Sequence, residues 1–383
     1  MEHFFYKLPV PVDFGAGKRH KLPQLLKDMH LDRGLLISAP SMVRKGLAQE
    51  LKEASDGRIV AIFSDIQPNP TVVNTEACAE RLRKERCSFA VALGGGSVMD
   101  CAKAACFAAR TPYRIADYLS GKRSVTAPGI PLIAMPTTSG TASEVTGASV
   151  ITDTERKVKA LITSEYFYPV YALIDPELTY SCPPAVTAAS GLDVLAHSLE
   201  AWYGKRHQPL TDLAAQQAAS LVFQFLLRAY HQPDDAKARE QMSLASVTAG
   251  LAFGLTSTAA AHACSYPLTQ DYGLPHGEAC AFTLPAFWRL NSRRGPESGR
   301  LQALSRRLGF KDSDDLADRI DQMKKEMGMR TTLEEVGIRS DEQLDRLVAK
   351  SFAPNMDNNP VKITRESLKT LYQDLYEDSR TSV

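Results

Sequence analysis

At 383 residues, 44% hydrophobic and 23% charged, the chain is long enough for two domains and has an ordinary globular composition, which argues against disorder. A formal net charge of +1 argues against a nucleic-acid surface, and the mixed-sign run around Lys84 reads as a solvated helix face. Seven cysteines with no Cys-x-x-Cys pair point to buried thiols in a reducing compartment, not to a disulfide framework.

The start, MEHFFYKLPVPVDFG, carries Glu2, Lys7 and Asp13 without a long apolar run, so it does not read as a signal peptide, and a cytoplasmic chain is expected. Short apolar runs then alternate with helical patterns. RGLLISAP, GRIVAIFSD, SFAVALGGGS and GIPLIAMPTT read as strands, while MVRKGLAQELKEA and VVNTEACAERLRKER have helical periodicity. This order predicts an α/β dinucleotide-binding domain with a parallel sheet over residues 1–182. From SGLDVLAHSLEAW through LVFQFLLRAYH the patterns are helical, so an all-α domain is expected over residues 183–383, with the boundary near Pro183 and Pro184. The stretch Gln241 to Gln270 has no Asp, Glu, Lys or Arg and is the one candidate membrane span. Its Ala, Gly, Ser and Thr content, and His262 within it, favour a helix buried in protein, and no membrane contact is expected.

Two loops follow predicted strands. In ALGGGSVMDCAK, Gly94, Gly95, Gly96 and Ser97 end a strand and open a helix, so bare backbone amides and a helix N-terminus form an anion cradle; a tight turn is the alternative. In PTTSGTASEVT, Thr137, Thr138, Ser139, Thr141 and Ser143 surround Gly140 and offer hydroxyls to phosphate or ribose, or simply cap the next segment. Two such loops at strand C-termini favour a dinucleotide site.

Asp193 and His197 are four apart, and in a helix that spacing places both on one face, able to share a metal ion; an ordinary polar helix face is the alternative. His262 lies in the uncharged stretch and needs a polar partner if buried, and His276 sits in the turn-like Pro-His-Gly. One Asp with three imidazoles suits Fe(II) or Zn(II).

The ordered set DIQPNPTVVN, GGGSVMDCAK, PTTSGTASEVT, VITD, DPELT, GLDVLAHSLEA, the His262 to His276 segment and NMDNNPVKIT resembles the iron-containing (group III) alcohol dehydrogenases, whose fold is dehydroquinate synthase-like. The resemblance implies a metal held by Asp193, His197, His262 and His276. It also implies NAD(H) or NADP(H) contacts at Asn69, Gly94, Gly95, Gly96, Ser97, Asp100, Thr137, Thr138, Ser143 and Lys159. Where many members have a further histidine, this chain has Tyr266, whose phenol can still donate a hydrogen bond in catalysis. Where many have an acid that repels a 2′-phosphate, it has Ala39, so NADP(H) is admitted, with Ser38, Ser41 and Arg44 nearby.

The implied reaction is reduction of a small aldehyde to its alcohol. HACSYPLTQDYGLPHGEAC resembles members acting on sulfoacetaldehyde or phosphonoacetaldehyde; a general short-chain alcohol dehydrogenase and a dehydroquinate synthase-like lyase are the alternatives. Expected substrate contacts are Thr146, Ser149, Phe253, Thr256, Ser257, Thr258, Asn358, Asn359 and Lys362, with Asn355 beside them. Cys264 and Cys280 flank the metal motif and are expected to be inert, although a thiolate can compete as a ligand. A homodimer or higher homo-oligomer is expected.

Overall fold

A computed structural model describes residues 3–156 and 158–381. One compact unit is Lys7–Cys182; the other gathers the described residues up to Tyr6 and those from Pro183 onward.

The first unit contains β1 (Val12–Phe14), β2 (Gly34–Ser38), β3 (Ile59–Phe63), β4 (Phe89–Gly94), β5 (Leu132–Pro136), β6 (Ala148–Asp153), β7 (Val158–Thr163) and β8 (Tyr171–Ile174). Six of these form a parallel sheet in the order β1-β8-β5-β4-β2-β3, and β6 and β7 pair as a separate antiparallel ribbon. GLLIS, FAVALG and LIAMP are buried along their whole length, as parallel strands covered on both faces must be. Their side chains alternate between two cores. Leu35, Ala90 and Ala134 pack with Val98 and Ala102, whereas Leu36, Val91 and Ile133 pack with Leu22 and Leu26.

The four runs read as strands are β2 to β5, and β1, β6, β7 and β8 lie outside them. β1 has three residues and β8 four, too few for a periodic signal, and β7 is exposed over much of its length. The pattern read as one helix in MVRKGLAQELKEA is two, Pro40–Arg44 and Leu47–Ala54, because Gly46 takes φ +80° between them. The chain leaves β2 toward β3 on one side, and leaves β4 toward β5 on the other. The carboxyl ends of β2 and β4 therefore flank a topological switch point, where open α/β sheets bind ligands.

The second unit is helical. Its long members are Pro184–Tyr203, Pro209–His231, Ala236–Thr256, Ala260–Tyr272 and His276–Arg294, packed around Leu192, Leu195, Leu199, Phe282 and Trp288. Among the described residues no single helix is long and apolar enough to cross a membrane. The uncharged stretch instead supplies parts of two helices bent by 106°. The break lies at Ser257, which has φ +66°, and the NMDNNP segment holds it. Asn358 Nδ2 donates to the carbonyls of Thr256 (3.0 Å) and Thr258 (3.1 Å), and Asn355 Nδ2 donates to Thr258 Oγ1 (3.0 Å).

Candidate metal centre and nucleotide loops

Three helices of the second unit bring their polar residues to one buried point. Asp193 and His197 come from Pro184–Tyr203, His262 from the first turn of Ala260–Tyr272, and His276 from the first residue of His276–Arg294. Gly277 permits the approach of the last helix: a Cβ there would lie 1.9 Å from the Ala189 carbonyl oxygen and 2.8 Å from Asp193 Cβ. Pro-His-Gly is thus a helix start pressed against a neighbouring helix.

Asp193 Oδ1 lies 3.5 Å from His262 Nε2 and 3.9 Å from His276 Nε2, and its Oδ2 lies 3.9 Å from His197 Nδ1. Asp193, His197 and His262 are buried, and Asp193 Oδ1, His197 Nδ1 and His262 Nε2 have no hydrogen-bond partner within the structure. Buried polar atoms left unpaired are costly, and these separations approach the roughly 3.3 Å edge of a tetrahedron of N and O ligands around a zinc-like ion. Donor type, burial and missing partners all fit a divalent cation.

The donors that converge most tightly are Asp193, His262, His276 and Cys280, whose ligand atoms lie within 4.8 Å of one another. His197 falls outside that group. Its ring stacks on Phe253, with centroids 3.8 Å apart and planes at 10°, and on His262 at 4.5 Å. Burial pushes the His197 imidazole down to about 3, leaving it neutral as a ligand must be. Burial alone would raise the Asp193 carboxyl, but His197, His262 and His276 outweigh it and hold it well below the usual carboxylate range.

Glu200 supports this arrangement and is absent from the sequence expectations. Its Oε1 accepts from the backbone N–H groups of Ala261 (2.8 Å) and His262 (3.2 Å), while Oε2 meets His262 Nδ1. One carboxylate therefore caps the Ala260–Tyr272 helix and holds the proton of His262 on Nδ1, which leaves the Nε2 lone pair toward Asp193. The signal was present in the sequence: Asp193 and Glu200 are the only charged residues in PAVTAASGLDVLAHSLEAWY, seven apart and so on one face.

Among the expected substrate contacts, several side chains are committed elsewhere. Asn359 is fully buried, exchanging two amide hydrogen bonds with Asn291 and donating to Val361. Asn358 spends its amide on the helix break, buried Thr256 donates to the Ser257 carbonyl, and Lys362 is exposed. The donors of Thr256, Asn358 and Asn359 are thus already paired within the protein, while the Lys362 ammonium faces solvent. Ser257 and Thr258 remain partly exposed. Tyr266 stands one turn beyond His262; burial raises its phenol pKa, and His262 and then the Asn355 side chain oppose that rise.

In the first unit, the two hydroxyl- and glycine-rich loops touch. Thr137 N–H donates to the Gly94 carbonyl (3.0 Å), and a Cβ on Gly95 would lie 2.9 Å from Thr138 Oγ1, one on Gly96 2.6 Å from Thr141 Cγ2. Gly95 is the N-cap of the Gly96–Ala108 helix, so the first-turn amides of that helix, which have no intrahelical partner, begin at this loop. Ala39 lies beside this cradle, its N–H donating to the Leu93 carbonyl (2.9 Å). Ser38 is buried and bonded to the Ala39 carbonyl, so it is withdrawn as a phosphate partner. Asn69, at φ +57°, donates its N–H to Ser97 Oγ (3.2 Å) and accepts from Lys159 Nζ (2.7 Å), gathering those three residues at one edge of the loop.

Asp100, Ser143, Thr146 and Ser149 belong to one hydrogen-bonded network. Asp100 accepts from Ser143 Oγ (2.9 Å) and Val150 N (3.1 Å), and Ser149 Oγ donates to the Asp100 carbonyl (2.8 Å). Buried Lys103 lies beneath, donating to Ser143 Oγ (2.7 Å) and the carbonyls of Thr146 (2.8 Å) and Ala148 (2.9 Å). This network fixes a loop in which Ala142 takes φ +47°.

Residues 9–176 match the family model described as iron-containing alcohol dehydrogenase, and residues 187–376 match that of the Fe-containing alcohol dehydrogenase family, C-terminal. A solved sulfoacetaldehyde reductase from Bifidobacterium kashiwanohense in complex with NAD+ is 45% identical, with TM-score 0.95, covering 98% of this chain and 99% of its own. Alcohol dehydrogenase 4 of Schizosaccharomyces pombe is 33% identical over 94% of this chain and 86% of its own length. The 1,3-propanediol dehydrogenase of Klebsiella pneumoniae is 40% identical over 70% of this chain and 68% of its own.

Proposed function

Because the chain belongs to the iron-containing alcohol dehydrogenase family, an oxidoreductase family, we propose that it reduces a small aldehyde bearing a sulfonate or phosphonate head group to its alcohol with NADH. A divalent ion held by Asp193, His262 and His276, with His197 or Cys280 as the fourth donor, supplies Lewis-acid polarisation of a carbonyl, and the nicotinamide supplies hydride. The protein positions both. Glu200 orients His262, the Gly94–Gly96 amides hold the pyrophosphate, and Asn69, Ser97 and Lys159 hold the nicotinamide side. Tyr266, one turn from His262, offers the phenol that returns a proton to the product oxygen.

The observation that carries the anionic substrate is the 45% identity, over nearly the whole chain, to a sulfoacetaldehyde reductase. Ser257 and Thr258 are the hydroxyls left to bind the head group. A hydrogen bond to a charged group contributes about 1.5–3 kcal/mol, so Thr258→Val should lower kcat/KM for sulfoacetaldehyde roughly 10- to 100-fold and spare propanal. Steady-state assays of both proteins with sulfoacetaldehyde, phosphonoacetaldehyde and propanal test this. Equal wild-type efficiency on propanal defeats the head-group reading. That result favours a second reading, an uncharged short-chain alcohol dehydrogenase, which the 40% identity to a 1,3-propanediol dehydrogenase and the exposure of Lys362 support. With alanine in place of a ribose-side acid at residue 39, NADPH is expected to serve as well, and repeating the assay with it measures the preference.

A further inference from the structure

The metal cluster holds one donor more than four-coordination requires. Asp193 and His197 form an i, i+4 pair on one helix; His276 and Cys280 form a second i, i+4 pair on another; and His262 faces both from a third. Cys280 is fully buried, with Sγ 3.8 Å from His276 Nε2, and its sulfur belongs to the group whose ligand atoms lie within 4.8 Å of one another. Two further observations point to a ligand in the same space. Asp193 Oδ1 and His262 Nε2, on side chains 3% and 4% exposed, converge there without partners. His197, the other contender for the fourth position, is held between the rings of Phe253 and His262.

We propose that Cys280 is a metal ligand, and that the ion chooses between Cys280 and His197. A soft or borderline ion such as Zn(II), Cd(II) or Co(II) takes Asp193, His262, His276 and the Cys280 thiolate. Fe(II) under reducing conditions takes His197 in place of the sulfur. The preference follows from softness: thiolate sulfur favours zinc-like ions, and imidazole accepts either. Binding in the first mode forms a metal–sulfur bond, and the thiol proton leaves to solvent. This rests on the metal reading above and names which donors each ion uses.

The test removes bound metal from the full-length enzyme and titrates it anaerobically with Co(II), Cd(II) and Fe(II), comparing wild type, Cys280→Ser, Cys280→Ala and His197→Ala. The expected result is a near-ultraviolet thiolate-to-cobalt charge-transfer band in wild type and His197→Ala that is missing from both Cys280 variants although they still bind Co(II). Cd(II) affinity should fall about tenfold or more in the Cys280 variants, with Fe(II) affinity little changed. X-ray absorption on Zn(II)-loaded wild type needs no variant, and should require one sulfur scatterer at about 2.3 Å. If wild type binds Co(II) without the band, or Cys280→Ala keeps it, Cys280 is not a ligand while the metal site itself stands. If wild type retains none of these ions, the metal reading fails and this proposal with it.

Discussion

At the residue scale, Glu200 decides which nitrogen of His262 is offered to a metal. A carboxylate opposite Nδ1 accepts only, so it fixes the proton there and leaves Nε2 free to ligate. In Glu200→Gln the amide oxygen can still accept from Ala261 and His262, while its NH2 faces Nδ1 and favours the tautomer protonated on Nε2. The helix cap survives and the ligand is disabled. Metal affinity measured by chelator competition should fall about 10- to 100-fold, with thermal stability of the metal-free protein nearly unchanged. An unaltered metal affinity would show that Glu200 is a cap alone.

At the scale of elements, close backbone approach positions both halves of the chemistry. The His276–Arg294 helix presses against Pro184–Tyr203 at Gly277, and an added methyl meets the Ala189 carbonyl at 1.9 Å, a rigid backbone atom that cannot swing aside. Gly277→Ala should therefore separate the helices, cost about 1–3 kcal/mol, and carry His276 away from Asp193. A lowered melting temperature together with weakened metal retention is the expected outcome; lowered stability with full metal affinity refutes the positioning role. The loop between β4 and the Gly96–Ala108 helix makes the parallel case for the cofactor, since Gly95 leaves room only for backbone beside Thr138. Gly95→Val should weaken NADH binding strongly in a fluorescence titration and leave metal content intact. Equal affinity for NADH in that variant assigns the loop another role.

At the scale of the whole molecule, buried charge gives stability a pH signature. Burial raises the Glu144 carboxyl from 4.5 to about 7, although its own backbone N–H and nearby Lys103 pull it down; burial lowers Lys103 from 10.5 to about 8, although Asp100 and Glu144 resist. Between about 4.5 and 7 the folded protein keeps a proton on Glu144 that the unfolded chain has lost, so this group makes stability fall as pH rises. From about 8 to 10.5 the unfolded chain keeps a proton that folded Lys103 has released, so this group makes stability rise. Glu144→Gln mimics the protonated acid and should abolish the first change, on the order of 3 kcal/mol across that window. Urea unfolding of wild type and variant at its two ends measures the difference, and parallel pH dependence in the two proteins contradicts it.

Local pattern carried the fold class, because apolar runs that alternate with helical periodicity describe a covered parallel sheet before any contact is known. It also placed Asp193 and His197 on one face, since helical geometry depends only on spacing within one element. The short strands β1 and β8 left no such trace, being paired by the sheet and not by their own sequence. The site was decided by docking across long separations. Glu200 meets His262 sixty-two residues on, and Asn359 meets Asn291 sixty-eight residues back, which turns an expected substrate contact into a structural one. Cys280 joins Asp193 because Gly277 lets two helices approach within backbone contact. Sequence spacing fixes which side chains share a face; which faces meet depends on packing and on where buried polar groups find partners, and that is settled only in the folded chain.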